Sequence, residues 1–419
     1  MSQNKIPRAG AHTHEVVRFP ESKRERRRIL RSSEDPRLRI SSILASVCGW
    51  LFALALILFI ITNYRLFLPD SLRRIYSILA AGVQTTTSDA ATIDYASGSI
   101  IDATLFGSSL AYVDSDTLYV SKTNDLNQLT LQISYGNPVV EATNSLVLAY
   151  DRGGNEAVIA NAITALREVE LDSPILSGTL GDSGAFALVT DESGFKTAVR
   201  VYNSSGGEPI FVWQTSRYYI QDAALSPDGS YLALLAFQQD GIEMQSDLLF
   251  WRLRRSADEQ EPDAVYSLGS SLGYAVEFLN SSAAAAVTDH GAHLVTKKGV
   301  LLGKKELSPN DMIGYAFCDR GILLASNAYQ GAAHAMIELI AANGTVSEEP
   351  LYINSEIQQL SADGSTLGVL TPDGLKVYSV PSWHEQWSNS TITGARSLRM
   401  DSSGTAYVLY GNECRIFRN

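Results

Sequence analysis

Two histidines three residues apart, His290 and His293, form the arrangement in this chain that most resembles a metal site. Imidazole nitrogens bind zinc, but a zinc site also needs further protein ligands and hydrogen bonds that orient them. No other His or Cys stands nearby in the sequence, and His334 and His384 lie far along the chain. We therefore expect both histidines in a solvent-exposed turn, and the sequence predicts no metal-ligating residue.

Aspartates recur in segments rich in Gly, Ser and Asn, where carboxylate oxygens are available to calcium. A calcium-binding loop alternates several acids and ends in Glu, and no segment of this chain does so. Asp also forms turns by accepting hydrogen bonds from nearby backbone amides. We therefore expect turn formation, and no bound metal, at Asp114, Asp116, Asp182, Asp228, Asp289, Asp363, Asp373 and Asp401.

Sequence signatures of catalysis are absent from this chain. It has no Gly-x-Ser-x-Gly elbow, no phosphate-binding loop and no His-Glu-x-x-His pair. Arg252, Arg254 and Arg255 form a small basic patch beside Trp251, which is more typical of a solvated loop than of a nucleic-acid site. We therefore assign no catalytic residue, no cofactor and no cofactor-binding residue, and we expect no nucleic-acid partner.

Apolar strand cores recur along the chain at intervals of 36 to 52 residues. The eight cores begin at Leu110, Leu146, Phe186, Leu232, Ala284, Ile322, Leu367 and Ala406. After a turn, each core is followed by a second strand, in the ranges Thr117–Ser121, Ala157–Ala160, Thr197–Tyr202, Asp247–Arg252, Ala292–Thr296, Ala335–Ile340, Leu375–Val380 and Cys414–Phe417. A period of about 40–50 residues with paired strands is typical of β-propeller blades.

The predicted fold is therefore all-β, a propeller of eight blades, with seven possible if the weak fifth unit at Ala283–Ala286 is an insertion. Continuous apolar runs such as Leu232–Ala236 fit strands that neighbouring blades cover on both faces. Small residues at Ala283–Ala286 suit strands crowded near the central axis. The last unit stops at Phe417 without an outermost strand, so we expect Thr92–Ala96 to complete that blade by pairing with Cys414–Phe417.

Two further patterns have structural interpretations. Cys318 and Cys414 fall in the sixth and eighth units, which are not neighbours in a ring, whereas a disulfide needs Cα atoms within about 7 Å. We expect both to be buried free thiols. Four Asn-x-Ser/Thr sequons begin at Asn203, Asn280, Asn343 and Asn389. They are candidate glycan sites in a eukaryotic secreted domain, and they are expected by chance in a bacterial chain rich in Ser and Thr.

The segment Ser226–Ala233, with the sequence Ser-Pro-Asp-Gly-Ser-Tyr-Leu-Ala, resembles the repeat of TolB-type propellers. Thr371–Gly374 and Ser361–Gly364 are looser matches to the same repeat. The whole layout is similar to an uncharacterised clostridial family, a domain of unknown function, of single-pass membrane proteins with an extracytoplasmic WD40- or TolB-like propeller. The resemblance covers nearly the whole chain and implies a fold, but it implies no catalytic residues.

One uncharged run, Ile40 to Tyr64, is 25 residues long, and about 20 residues suffice for a helix to cross a bilayer. It is longer than the apolar region of a cleaved signal peptide, which is the alternative interpretation. Residues 1–39 carry eleven Lys/Arg and five acids, a net charge of +6, which leaves −18 on the rest of the chain. Basic flanks stay cytoplasmic, so we expect the N-terminus inside the plasma membrane and the propeller outside.

The predicted organisation has four parts: a disordered basic cytoplasmic tail (1–39), a transmembrane helix (40–64), a membrane-proximal helix and linker (65–91) and an extracytoplasmic propeller (92–419). The predicted partners are membrane lipid, through the helix, and a protein at the cell envelope. We expect a binding scaffold that favours a basic ligand, because its ectodomain is acidic. The alternatives are a carbohydrate-active hydrolase or lyase with its site in the propeller funnel, and a signalling protein.

Overall fold

A computed structural model describes residues 36–62, 91–122, 126–240, 243–253, 261–308, 310–328 and 334–418. The chain divides into two compact units, Met1–Phe67 and Leu68–Asn419. Residues 1–35 of the expected basic tail, the membrane-proximal helix, and Arg254 and Arg255 of the basic patch lie outside the described residues. Residues 36–39 of that tail are helical, so the expected disorder is wrong for them.

The described part of the first unit is a helix of 27 residues, α1 (Pro36–Thr62). It begins four residues before the predicted span, at a proline, which is well tolerated at the first helical position because its missing N–H has no intrahelical partner there. Searched over the described residues, the structure contains no helix that qualifies by length and hydropathy as a membrane span. The transmembrane helix expected at residues 40–64 is not supported by that search and stays a prediction.

The second unit is built of eight four-stranded sheets, each an antiparallel blade. Blades 1 to 4 contain β2 (Asp102–Phe106), β3 (Ser109–Val113), β4 (Thr117–Lys122) and β5 (Leu126–Gln132); β6 (Pro138–Ala142), β7 (Val147–Asp151), β8 (Glu156–Ala160) and β9 (Ala165–Glu170); β10 (Ile175–Leu180), β11 (Ala185–Thr190), β12 (Thr197–Asn203) and β13 (Phe211–Thr215); and β14 (Tyr219–Leu225), β15 (Tyr231–Asp240), β16 (Glu243–Arg252) and β17 (Ala264–Gly269).

Blades 5 to 8 complete the ring. They contain β18 (Gly273–Asn280), β19 (Ala283–Thr288), β20 (Gly291–Thr296) and β21 (Leu301–Glu306); β22 (Met312–Cys318), β23 (Gly321–Asn327), β24 (Ala335–Ala341) and β25 (Leu351–Ile353); β26 (Gln359–Asp363), β27 (Thr366–Thr371), β28 (Gly374–Ser379) and β29 (Glu385–Asn389); and β30 (Ser397–Met400), β31 (Ala406–Leu409), β32 (Glu413–Phe417) and β1 (Ala91–Asp94). The predicted count of eight blades is confirmed.

The predicted cores are the second strands of the blades, and the strands predicted after them are the third strands. A hydrophobic cluster fills each of the eight interfaces between consecutive blades, including the interface between blades 8 and 1. Successive residues of a second strand therefore reach opposite neighbours: Ala284 and Ala286 pack towards blade 4, and Ala283 and Ala285 towards blade 6. Both faces are buried, which explains why these strands are continuous apolar runs.

The residues Ala283–Ala286, which the sequence predicts near the central axis, lie one strand out from it. These residues belong to β19, and β18 forms the inner end of the same sheet. The first strands of consecutive blades contact one another around the ring, so they are the innermost strands. Two of the alanines, Ala284 and Ala286, share their cluster with two large rings, Phe250 and Phe278, which pack edge to face.

Blade 8 is closed by β1, as predicted. Thr92 pairs with Arg415 and Ile93 with Cys414, in an antiparallel register that runs from Ala91 to Asp94. The chain segment before blade 1 therefore supplies the outer strand of blade 8. Ile93 is buried in the cluster between blades 8 and 1, so the closing strand contributes side-chain packing as well as backbone hydrogen bonds.

Local hydrogen bonds in turns explain Asp228 and three of the sequons. Asp228 Oδ1 accepts hydrogen bonds from the hydroxyls of Ser226 (2.6 Å) and Ser230 (2.7 Å), and these bonds lower the pKa of Asp228 to about 2. Asn oxygens make the same contact with the hydroxyl two residues later, in the pairs Asn280–Ser282, Asn343–Thr345 and Asn389–Thr391. An acceptor side chain that bonds two residues ahead stabilises a turn, so the sequon pattern has a structural cause at these three positions.

Candidate functional site

The innermost strands of the propeller carry a set of charged residues that are mostly half-buried. Acids occupy the first strands of blades 1, 2, 4, 5 and 7, at Asp102, Glu141, Asp222, Glu277 and Asp363, and the first strand of blade 8 carries Arg399. Because first strands surround the axis of the ring, these groups converge there although they are far apart in sequence. The described first strands therefore form an acidic axial channel, to which they contribute one basic group, Arg399.

Three of the acids brace one blade against the next. Asp102 Oδ2 accepts a hydrogen bond from the Val140 amide at 3.0 Å, and Asp222 Oδ2 accepts one from the Val276 amide at 2.8 Å. Glu141 Oε2 accepts one from the Leu180 amide at 3.2 Å. The first strand of a blade has an unpaired edge, and buried amides need acceptors, so these carboxylates complete the hydrogen bonding of neighbouring strands.

Blade 7 makes the same kind of contact without a charge. Gln359 Oε1 accepts from the Leu398 amide at 2.7 Å, and Ser361 Oγ accepts from the Met400 amide at 2.9 Å, both on blade 8. A neutral acceptor can therefore brace two blades. The negative charge at the acidic positions is an additional property of the channel, beyond what this hydrogen bond requires.

Three of the channel acids, Glu141, Asp222 and Glu277, hold their protons more tightly than free carboxyl groups do. Burial, followed by the nearby charge of Asp222, raises the pKa of Glu141 to about 8. Burial raises the pKa of Asp222 to about 6, and burial together with the charges of Asp222 and Asp363 raises the pKa of Glu277 to about 7. The side chain of Glu277 is exposed to the channel, yet protein surrounds its carboxyl group on the other sides. Ionisation of Glu277 is therefore unfavourable, while the group stays accessible to a ligand.

An open pocket of about 740 Å³ lies on the channel side of blades 5 to 8. First strands line it almost entirely, with the charged groups Glu277, Asp319, Asp363 and Arg399, and with Tyr315 of β22 among the other lining side chains. The volume falls in the range of small-ligand sites, about 300–1,000 Å³. Perturbed acids in a pocket of this size mark the candidate binding site of the protein.

Glu277 and Arg399 differ from the bracing residues. Among the described residues, the side chain of Glu277 makes no hydrogen bond or ion pair. Arg399 Nη1 donates only within its own strand, to Ser397 Oγ at 3.0 Å and to the Leu398 carbonyl oxygen at 3.1 Å. Both groups line the pocket, so each presents an unpaired charge to whatever enters it.

The histidine pair does not form a metal site in the described part of the chain. His290 lies in the turn, as expected, with Nδ1 2.8 Å from Asp289 Oδ1. The expectation is wrong for His293, which lies on β20 and is 8 % exposed, with Nδ1 3.2 Å from the hydroxyl of Tyr266 on blade 4. The described residues contain no group of three His, Cys, Asp or Glu that could hold a metal.

Cys318 and Cys414 are both buried free thiols, as expected. Asp363 departs from its expected role, since it is the last residue of β26 and lines the pocket. Its Oδ1 still accepts a local hydrogen bond, from the Gly364 amide at 2.7 Å. The predicted local hydrogen bond of Asp363 is thus confirmed. The sequence did not predict that Asp363 lines the pocket.

Sequence reasoning missed the channel because the first strands are short and only partly apolar. A signal was present: a charged residue stands inside an otherwise apolar stretch shortly before several cores, as in Val139-Val140-Glu141 and Ala275-Val276-Glu277-Phe278. Such a charge would be costly in a strand covered on both faces. Its repeated occurrence indicates strands with one face towards water, here the axial channel.

Comparison with known proteins gives a family and a fold. A family model described as "Family of unknown function (DUF5711)" matches residues 84–391. The crystal structure of the C-terminal WD40 domain of Sif2 is similar with a TM-score of 0.56 and 13% identity, over 78% of this chain and 97% of that one. KlHsv2, with loop 6CD replaced by a Gly-Ser linker, aligns at a TM-score of 0.37 and 18% identity, over 53% and 73% of the two chains.

The curated proteins include no significant match to this chain. At 13% identity the WD40 likeness establishes the fold alone. The resemblance stated from sequence is confirmed for a family of unknown function and for a WD40-like propeller, while the clostridial origin and the single-pass topology stay predictions.

Proposed function

The chain belongs to the DUF5711 family of unknown function, and we propose that it is a membrane-anchored, extracytoplasmic propeller that binds a basic protein or peptide at the cell envelope. The observation that carries this proposal is the acidic axial channel with its open pocket. A closed ring is rigid and presents its channel and loops to partners, and surface charge selects partners of opposite sign. The channel acids give this scaffold a preference for positive charge.

The proposed anchor is supported by the character of α1. The run Ile40 to Tyr64 lacks charge. Large apolar side chains of the helix are exposed, for example Trp50 at 77 % and Phe52 at 71 %. A helix that is apolar on all sides is suited to a core or a membrane, and large exposed apolar surfaces mark sites of interaction. The net charge of +6 before the run supports an inside N-terminus.

A membrane-impermeant amine crosslinker applied to intact cells tests location and partnership together. We expect the full-length chain to be crosslinked to a basic protein, identified by mass spectrometry after purification. A chain that ends before residue 90 serves as the control and should recover no such partner. The substitution Glu277→Gln should reduce recovery, whereas Glu208→Gln, an exposed acid on the turn after β12, should leave it unchanged.

Two results would overturn the proposal. Crosslinking that succeeds only with a membrane-permeant reagent would place the propeller on the cytoplasmic side. Recovery of the same proteins by the truncated control would show that the propeller does not select the partner.

A carbohydrate-active hydrolase or lyase is the second candidate. Glu277 favours it, because a carboxyl group with a pKa near 7 inside a pocket suits a general acid. Such an enzyme pairs this acid with a second carboxylate that stays ionised. Burial raises the pKa of Asp363 as well, so the pocket does not divide the two carboxyl groups into opposite roles. We therefore place binding before catalysis.

Incubation with purified cell-wall polysaccharide separates the two candidates. We expect no release of reducing sugar above background from the wild-type chain. Release that disappears in Glu277→Gln and persists in Glu208→Gln would favour the enzyme. The control substitution removes the same charge at an exposed position away from the pocket lining.

A further inference from the structure

We propose that the axial pocket binds a short basic peptide with a free C-terminal carboxylate, with its basic group against Glu277 and its carboxylate against Arg399. The inference rests on the proposed function, since it specifies the ligand class of the same site. It depends on the placement of two unpaired, opposite charges in one cavity of about 740 Å³.

No hydrogen bond or ion pair in the described part of the protein explains why residue 277 is a glutamate. Its strand neighbours Val276 and Phe278 are buried, while its own side chain is exposed to the channel. Asp102, Glu141 and Asp222 each accept a hydrogen bond from a backbone amide of another blade. Among the described residues, no amide donates such a bond to Glu277. The carboxylate of Glu277 supports no neighbouring strand that the structure describes, so it is available to a cationic ligand.

Arg399 presents the opposite charge from another part of the ring. It belongs to blade 8, three blade positions from Glu277 on blade 5, so the two groups reach the pocket from different sides of the channel. Arg399 forms no ion pair within the described residues, and only its Nη1 is engaged, by Ser397 Oγ and the Leu398 carbonyl oxygen. Its remaining donors fit a carboxylate, which guanidinium groups bind with two parallel hydrogen bonds.

The charges of Glu277 and Arg399 together indicate which class of ligand fits the pocket. Burial lowers the pKa of Arg399 and outweighs the charge of Asp102, which favours protonated Arg399. A simple cation would therefore leave Arg399 only partly compensated, and a simple anion would leave Glu277 without a partner. Asp319 and Asp363 add negative charge to the lining, so positive groups should outnumber the carboxylate on the ligand. A basic peptide with one C-terminal carboxylate has this balance.

The pocket also offers surface for the stem of a basic side chain. Tyr315 and Phe317 of β22 line it, with ring centroids 5.7 Å apart in an edge-to-face arrangement. Aromatic faces attract ammonium and guanidinium groups, and the methylene stems of Lys and Arg pack on apolar surface. Lysine or arginine residues are thus the expected basic groups of the peptide.

Isothermal titration of the full-length chain in detergent, at low ionic strength, tests the inference with two probes. The probes are trilysine with a free carboxylate and trilysine with a C-terminal amide. We expect the free acid to bind about tenfold more tightly than the amide, which is the scale of one charge-assisted hydrogen bond. Arg399→Gln should abolish this difference, and Arg399→Lys, which keeps the charge, should retain part of it.

Glu277→Gln should weaken both probes, because both carry the same ammonium groups, and Glu208→Gln should weaken neither. Equal affinity of the wild type for acid and amide, or equal loss of both in Arg399→Gln, would overturn the assignment of Arg399. If neither probe binds while the impermeant crosslinker still recovers a basic protein, the peptide class is wrong and the proposed function stands. If the crosslinker also recovers nothing, both are wrong.

Discussion

Replacing Ile93 by alanine should lower the free energy of unfolding of the propeller by about 2–5 kcal/mol, the usual cost of truncating a buried Ile. Ile93 is 1% exposed and pairs with Cys414 in the strand that completes blade 8. Its cluster includes Leu110 and Tyr112 of blade 1 and Tyr407 of blade 8. The cavity would therefore weaken the one interface at which the two ends of the propeller chain meet.

Urea unfolding of the full-length chain, followed by tryptophan fluorescence, measures this effect. Thr92→Ala is the matched control, because Thr92 is exposed on the same strand and surface substitutions usually change stability by less than about 0.5 kcal/mol. Ile93→Val should give a smaller loss, of about 0.5–1.5 kcal/mol. If Ile93→Ala and Thr92→Ala unfold at the same urea concentration, packing by the closing strand does not hold the ring together.

The substitution Glu141→Gln should stabilise the protein at high pH and leave its stability nearly unchanged near pH 4.5. Burial and the charges of Asp222 and Glu277 raise the pKa of Glu141 from an ordinary value of 4.5 to about 8. Below pH 4.5 the group is protonated in both folded and unfolded chains. Between pH 4.5 and 8 the unfolded chain loses the proton first, so the folded state loses stability as the pH rises.

Glutamine keeps an oxygen for the Leu180 amide and removes the titrating proton. We expect a gain of about 2 kcal/mol at pH 9, since one pKa unit corresponds to about 1.4 kcal/mol and water in the channel reduces the cost of the charge. Urea unfolding at a series of pH values measures the gain, with Glu208→Gln as the exposed control. Parallel pH profiles for wild type and Glu141→Gln would contradict the raised pKa.

The channel residues thus have two kinds of role. Asp102, Glu141 and Asp222 brace neighbouring strands, as Gln359 does without a charge. Glu277 braces nothing and lines the pocket, where Arg399 also lies. Substitutions at Asp102, Glu141 or Asp222 should change stability more than binding. Substitutions at Glu277 should change binding more than stability. This difference allows the site to be tested without unfolding the ring.

Local patterns were enough to predict the eight blades, their second and third strands and the closing strand. Residues such as Leu232–Ala236 and Ile322–Ala325 are buried on both faces whatever the partner blade, so their apolar character is visible in the sequence. The turns at Asp228 and Asp401 depend on residues within four positions. The pairing of Ile93 with Cys414 followed from the missing strand of the last unit.

The candidate site could not be predicted in this way. Glu277 and Arg399 are 122 residues apart, and each looks like an isolated charge in its own strand. Only closure of the ring brings the first strands around one axis. Only the packing there leaves these two side chains without a hydrogen-bond partner on another blade among the described residues, while Asp102 and Asp222 each accept a bond from the next blade. Blade formation depends on short-range pattern and burial, whereas the site depends on long-range convergence, which no local sequence pattern records.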